Sequence, residues 1–357
     1  MKKFTFVLLS LIFCFLFSTT QVFADTLYNP VGKSNGYKVY LSPAKHSPEK
    51  TGCNNYQESV NARKIAVETA KDLQAMGYTV MVGEGDYLAN TNSSNSWKPN
   101  LHIPIHSNAT TFDCSGTNPL RGGTWLMYYS TSGSAASDKI LAAMQSGSPG
   151  TNDKKLTDVA ATGGSLYELR NTSAVAAYVE AAFHTYGPDV NWLLQHGSVG
   201  QRITNGIHGY SGAKDCRTQA CPSSVLLPFS IEIENSVVKR EEVNFDIKQF
   251  GRAHKSIENE LNKIINGENT DSIFGDNTKD MLNGVAINDN GTLLVDFKDF
   301  TGILGSPSSF IIGQINKELF DTIVKFSEVK EVYFLIEGSF SDWCYWLQIV
   351  EEPMKIK

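Results

Sequence analysis

Apolar and polar positions along the chain follow two different periods, and the switches between them outline a molecule in two parts. Residues 37–41 (Tyr-Lys-Val-Tyr-Leu) read as a strand running into Ser42-Pro43. From 56 to 76, Val60, Ile65, Ala66, Thr69, Leu73 and Met76 recur at helical spacing, and Gly77 stands where a helix stop belongs. Further strands are predicted at 78–82, 101–106, 125–129 and 176–180. Helices are predicted at 135–146, 189–195 and 198–210. Strands alternating with helices in this way predict an α/β domain over residues 36–212, a three-layer sandwich around a mostly parallel sheet.

Residues 213–270 carry a weaker pattern and read as a connector, with an apolar run at 225–229 and a charged helix near 252–265. Glycine, asparagine and aspartate cluster at 267–277, which marks a boundary. A new pattern then covers 271–352. Residues 284–297 read as a hairpin turning at Asp289-Asn290-Gly291. Ile312, Ile315, Leu319, Ile323 and Phe326 recur at helical spacing, and 329–336 is a further strand. This predicts a small α+β domain.

The first residues are an address. Lys2 and Lys3 precede an apolar run from 4 to 17, and Val22-Phe23-Ala24 offers small residues before a cut, so 1–24 read as a secretory signal peptide. The run is too short to span a bilayer comfortably. The mature chain is therefore expected to be secreted and soluble outside the cytoplasm. A net charge of −6 includes both leader lysines, and no basic footprint of a nucleic-acid binder is present. Five of the six cysteines follow the leader.

Four residues stand out for their chemistry. His46 follows the first strand, Glu58 opens the next helix, His106 ends the third strand and Glu180 ends the fifth. Parallel strands would bring these positions to one edge of the sheet, where open α/β sheets place their sites. Two imidazoles and one carboxylate are a common ligand set for catalytic zinc. A histidine at a strand end is, taken alone, more often packed or exposed than a ligand. His102 shares a face with His106 and is the rival ligand.

The order of these segments resembles the zinc-dependent N-acetylmuramoyl-L-alanine amidases over residues 37–210. The resemblance rests on the proline loop with His46, on Glu58 a dozen residues later, on Pro104-Ile105-His106-Ser107-Asn108-Ala109, and on Leu169-Arg170 followed by Val179-Glu180-Ala181-Ala182-Phe183. It implies one zinc held by His46, Glu58 and His106, with Glu180 as catalytic glutamate and peptidoglycan as substrate. Asn108, Arg170 and His184 become candidates for substrate contact. Arg170 would stabilise the oxyanion or serve as a structural ion-pair partner. His184, which replaces an aliphatic residue of the family, would touch substrate or pack.

The stretches 294–297, 314–322 and 329–338 resemble the GerMN module of sporulation and germination proteins. That implies a binding or assembly role toward a spore envelope or cell wall protein. The rival to an amidase is a non-catalytic wall-binding or envelope-assembly protein on the same fold. A metallopeptidase acting on the stem peptide is a third class. If His46 and His106 share a metal, the loops after them leave one edge of the sheet together. That predicts a Cys53–Cys114 disulfide. Cys216 and Cys221 are a separate local pair expected to form a second, which leaves Cys344 free; the alternative is that all five cysteines stay reduced.

Overall fold

A computed structural model describes residues 24–30, 32–223, 242–268, 272–305 and 307–356. All of the expected leader except Ala24, and the apolar run at 225–229, lie outside the described residues.

The first unit comprises β1 (Thr26–Tyr28), β2 (Lys38–Pro43), α1 (Glu58–Ala75), β3 (Thr79–Val82), α2 (Tyr87–Trp97) and β4 (Leu101–Asn108). It continues with β5 (Trp125–Tyr128), α3 (Thr131–Met144), β6 (Lys154–Thr157), α4 (Asp158–Thr162) and α5 (Tyr167–Arg170). The last elements are β7 (Val175–Ala176), β8 (Tyr178–Phe183), α6 (Gly187–Leu193) and α7 (His196–Ser211). They form one eight-stranded sheet ordered β1-β3-β2-β4-β8-β5-β6, with β7 beside β4. Pairing is parallel through β3, β2, β4 and β8. The β1–β3 and β5–β8 pairs are antiparallel.

Strand alternation sorts side chains between two helical layers. Val39, Leu41, Ile103 and Ile105 face one layer and share a core with Ile65 and Leu73 of α1, Ile140 of α3 and Ile203 of α7. Burying each of these aliphatic side chains contributes roughly 1.5–3 kcal/mol. Tyr40, between Val39 and Leu41, points the other way and packs with Met81 and with Trp97 of α2. Met127 and Tyr178 also face that second layer, against Ala161 of α4 and Leu169 of α5. The domain is thus the three-layer α/β arrangement with a mostly parallel sheet.

The second unit contains α8 (Ile247–Phe250), β9 (Arg252–Ala253), α9 (Lys255–Ile265), β10 (Leu282–Ile287), β11 (Thr292–Phe297) and α10 (Thr301–Leu304). It ends with α11 (Ser309–Ile323), β12 (Glu331–Ile336), α12 (Phe340–Leu347) and β13 (Met354–Lys355). Its five-stranded sheet runs β13-β12-β11-β10-β9, with β11 and β12 parallel. The hairpin turns at Asn288–Gly291, where Gly291 has φ +84° and Gly291 N donates to Asn288 O at 3.1 Å. Residues 252–265, read from sequence as connector, supply β9 and α9. Ile257, Leu261 and Ile265 of α9 are buried in the second core with Phe297, Leu319 and Trp343. The physical unit therefore begins before residue 271. Cys344 lies buried in the same core.

Candidate active site

The site forms where β2, β4 and β8 reach one edge of the sheet. β2 ends at Pro43, and Ala44 N still donates to Ile105 O at 2.9 Å, which holds the departing loop on β4. Three residues on, His46 N donates to Ser59 Oγ at 3.0 Å, and Ser59 N donates to Glu49 Oε1 at 2.8 Å. These bonds fold the loop back over the start of α1. Glu58 is the first residue of that helix, where the helix dipole favours an anion. Gly52 lets the same loop approach β8 closely: a Cβ there would stand 2.1 Å from His184 O.

His106 and Glu180 are paired residues of the parallel strands β4 and β8, so their side chains leave the same face side by side. The His106 ring stacks on Tyr178, with centroids 4.6 Å apart. Sequence reading set Glu180 at a strand end. In the structure it is the third residue of β8, and β8 runs on to Phe183.

His46, Glu58 and His106 each present a ligand atom, and these atoms all lie within 4.8 Å of one another. That span suits donors each about 2 Å from one ion. His106 Nδ1 is 3.2 Å from Glu58 Oε1, and His46 Nε2 is 3.3 Å from Glu58 Oε2. The charge states fit as well. Burial pushes the Glu58 carboxyl up, but Lys50, His46 and His106 outweigh it and hold the group well below the usual carboxylate range. Burial, with Lys50 nearby, pushes His46 down to about 4, so the imidazole is neutral at neutral pH, as a ligand must be. Glu58 Oε2 is buried and makes no well-formed hydrogen bond among the described residues. A cation would satisfy it.

Glu180 is 1% exposed, and burial raises its carboxyl to about 7 against the opposing pull of His106. A carboxyl poised near the working pH is suited to giving and taking protons. Its Oε1 accepts a hydrogen bond from Ser309 Oγ at 2.6 Å.

The remaining predicted residues take different positions. Asn108 is fully buried, and its Oδ1 accepts from Phe310 N at 3.2 Å. His184 is 2% exposed, stacks on Tyr56 and places Nδ1 3.0 Å from Ser107 Oγ. That is a packed position behind the site. Arg170 donates Nε and Nη2 to the two carboxylate oxygens of Asp158, at 2.7 and 3.0 Å, and lies over the Tyr129 ring. Its guanidinium is thus engaged as the ion-pair partner. His102, the rival ligand, meets Ser94 Oγ and Glu168 Oε1 at 2.9 and 3.1 Å and stands outside the ligand group.

Three neighbours of the site escaped the sequence reading. Lys50 Nζ lies 3.5 Å from Glu58 Oε2. Glu168, on the short helix α5, accepts from Ser42 Oγ at 2.5 Å and has Oε2 4.0 Å from His106 Nε2. Ser309 comes from the second unit. None sits in a local pattern that separates it from an ordinary surface or capping residue.

The Cys53 and Cys114 sulfurs are bonded, with Cα atoms 5.4 Å apart, tying the loop after His46 to the loop after β4. Cys216 and Cys221 are bonded at the same Cα separation. Because the first bridge spans 61 positions, the double substitution Cys53→Ala/Cys114→Ala should lower unfolding free energy by about 4 kcal/mol. Denaturant unfolding of both forms checks this; an unchanged midpoint and slope would contradict it.

Taken together, the fold is a mixed α/β domain that gathers a metal-competent His–Glu–His group beside a buried carboxyl. Residues 39–209 match the Amidase_3 family, described as N-acetylmuramoyl-L-alanine amidase, and all four of these residues fall inside that stretch. Among solved structures, the chain is similar to N-acetylmuramoyl-L-alanine amidase AmiC2 of Nostoc punctiforme. Identity is 17%, covering 51% of this chain and 99% of that one, with a TM-score of 0.43. It is similar to the catalytic domain of CwlV, an N-acetylmuramoyl-L-alanine amidase from Bacillus (Paenibacillus) polymyxa var. colistinus. There identity is 17%, over 50% and 99% of the two chains, with a TM-score of 0.42. An N-acetylmuramoyl-L-alanine amidase from Clostridium difficile 630 gives 19%, 50%, 98% and 0.42. No curated protein matches the chain.

Proposed function

We propose that this protein is a zinc-dependent amidase that hydrolyses the bond between the lactyl carbonyl of N-acetylmuramic acid and L-alanine in peptidoglycan. The observation that carries the reading is the His46–Glu58–His106 group beside Glu180, inside the stretch that matches the amidase family. Bound zinc supplies Lewis acidity, which polarises a carbonyl and acidifies water. The chain's own groups do the rest. His46 and His106 enter as neutral donors, and Glu58 enters as the anion. Glu180 takes the proton of the attacking water on a carboxylate oxygen and returns it to the leaving alanine nitrogen. Lys50, with Nζ 3.5 Å from Glu58 Oε2, adds positive charge beside the ligand group and is the candidate to stabilise the developing oxyanion.

This reading makes the protein an exported one, with the leader removed after Ala24 and the two disulfides formed outside the cytoplasm. No helix among the described residues is long and apolar enough to cross a membrane. The second unit, with its GerMN-like pattern, would act as a binding or assembly module at the cell wall or spore envelope. The test is digestion of purified peptidoglycan. A chelator should abolish release of N-terminal alanine and added zinc should restore it. Unchanged release in excess chelator would remove the metal from the mechanism.

A further inference from the structure

The second unit is docked end-on into the catalytic face. Ser308 is the N-cap of α11, and its Oγ donates to Ala109 O at 3.1 Å. Ser309 Oγ donates to Glu180 Oε1 at 2.6 Å. Phe310 N, one of the amides a helix start leaves without an intrahelical partner, donates to Asn108 Oδ1 at 3.2 Å. Pro307 O accepts from Lys50 Nζ at 3.0 Å. The Phe310 ring packs edge-on against Trp125 and Phe183. One turn later, Gly313 lets the helix backbone close on α4, because a Cβ there would stand 2.4 Å from Ala161 O. The positive end of the α11 dipole therefore faces the Glu180 carboxyl, which favours the docked state whenever that group is ionised.

These contacts fill the position the reaction needs. A proton-transfer group must come within hydrogen-bond reach of the reacting atoms, and the Ser309 hydroxyl stands at that distance from Glu180. Ser309 and Glu180 are 2% and 1% exposed. Among the described residues, a cavity of about 220 Å3 beside His46 is lined by His46, Pro48, Tyr87, Tyr345, Trp346 and Gln348. It reaches His46, but Glu58, His106 and Glu180 do not line it. Pockets that enclose ligands usually measure about 300–1,000 Å3, and a glycan strand with its stem peptide is larger than such ligands.

We propose that the second unit is a self-inhibitory latch: the N-terminal end of α11 occupies the catalytic cleft and must leave it before a peptidoglycan strand reaches Glu180. The inference rests on the amidase reading of that cleft. Most of the contacts are single hydrogen bonds that water can replace, so the latch is reversible.

The test uses the full chain with Ser309→Glu, which sets a second carboxylate against Glu180, and with Phe310→Ala, which adds no charge. Both changes spare every amidase side chain. Amide hydrogen exchange over 106–110 and 307–312 should be slow in the wild type and faster in both variants. Release of N-terminal alanine should rise by about tenfold or more, as expected if the open form is a minor state, with zinc content unchanged. Wild-type exchange already as fast as in the variants would overturn the latch alone. So would opened variants that cut no faster than an active wild type. If exchange shows opening yet no form releases alanine, the amidase reading fails and the latch falls with it.

Discussion

Glu180→Gln should cut peptidoglycan turnover by about 10²–10⁴-fold, the usual contribution of a positioned proton-transfer group, while zinc stays bound. Glutamine keeps the shape of the side chain and can still accept the hydrogen bond that Ser309 Oγ gives to Oε1. What it loses is the ability to take and return a proton. Glu180 lies outside the ligand group, so metal content should not change. Burial also holds the native carboxyl up at about 7, and glutamine at this position carries no charge to desolvate. The variant is therefore expected to fold at least as stably as the parent. Steady-state release of N-terminal alanine and metal analysis of the same sample check both halves. Near-native turnover would move the base elsewhere, with Glu168 first in line because its Oε2 stands 4.0 Å from His106 Nε2.

His106→Ala should strip the metal. The imidazole is one of three donors gathered within 4.8 Å, and it is fixed by β4, by its stack on Tyr178 and by Glu58. Changes to groups that merely support a ligand cost about 10–100-fold in metal affinity, so loss of a ligand itself should cost at least that much. His102→Gln is the control: that residue lies on the same face of β4 but is engaged with Ser94 and Glu168. Zinc titration should show affinity lost in His106→Ala and retained in His102→Gln. Stoichiometric zinc in His106→Ala, or its loss in His102→Gln, would reassign the ligand.

The elements that carry these residues were legible where burial follows a simple period. Helix α1 shows in the sequence because Ile65, Ala66, Thr69 and Leu73 line one face. Strand β4 shows because Leu101, Ile103 and Ile105 alternate with histidines and a proline. Helix α2 was missed for a physical reason. It buries Asn90, Thr91, Ser93 and Ser94, so it offers no apolar period, and its Asn- and Ser-rich sequence is a poor helix former. Strands β1, β9 and β13 have only two or three residues, too few to show alternation.

The site divides in the same way. Glu58 opens a predictable helix, His106 and Glu180 lie on predictable strands and His46 follows one, and the resemblance of four segments in order singled them out. Arg170 was read as ambiguous because its partner, Asp158, is twelve positions away on a helix that the apolar pattern does not announce. The lid over Glu180 was not legible at all. Ser308 and Ser309 look like an ordinary helix cap, and nothing local says that the cap points into another unit.

Product identity decides most directly whether this cleft cuts the muramoyl–alanine amide. Mass spectrometry of purified peptidoglycan digested by the zinc-loaded chain, with Ser309→Glu alongside, should show intact stem peptides with a free N-terminal alanine. It should also show glycan strands whose muramic lactyl groups end in a free carboxylate. New sugar reducing ends, or stem peptides cut within their length, would contradict it.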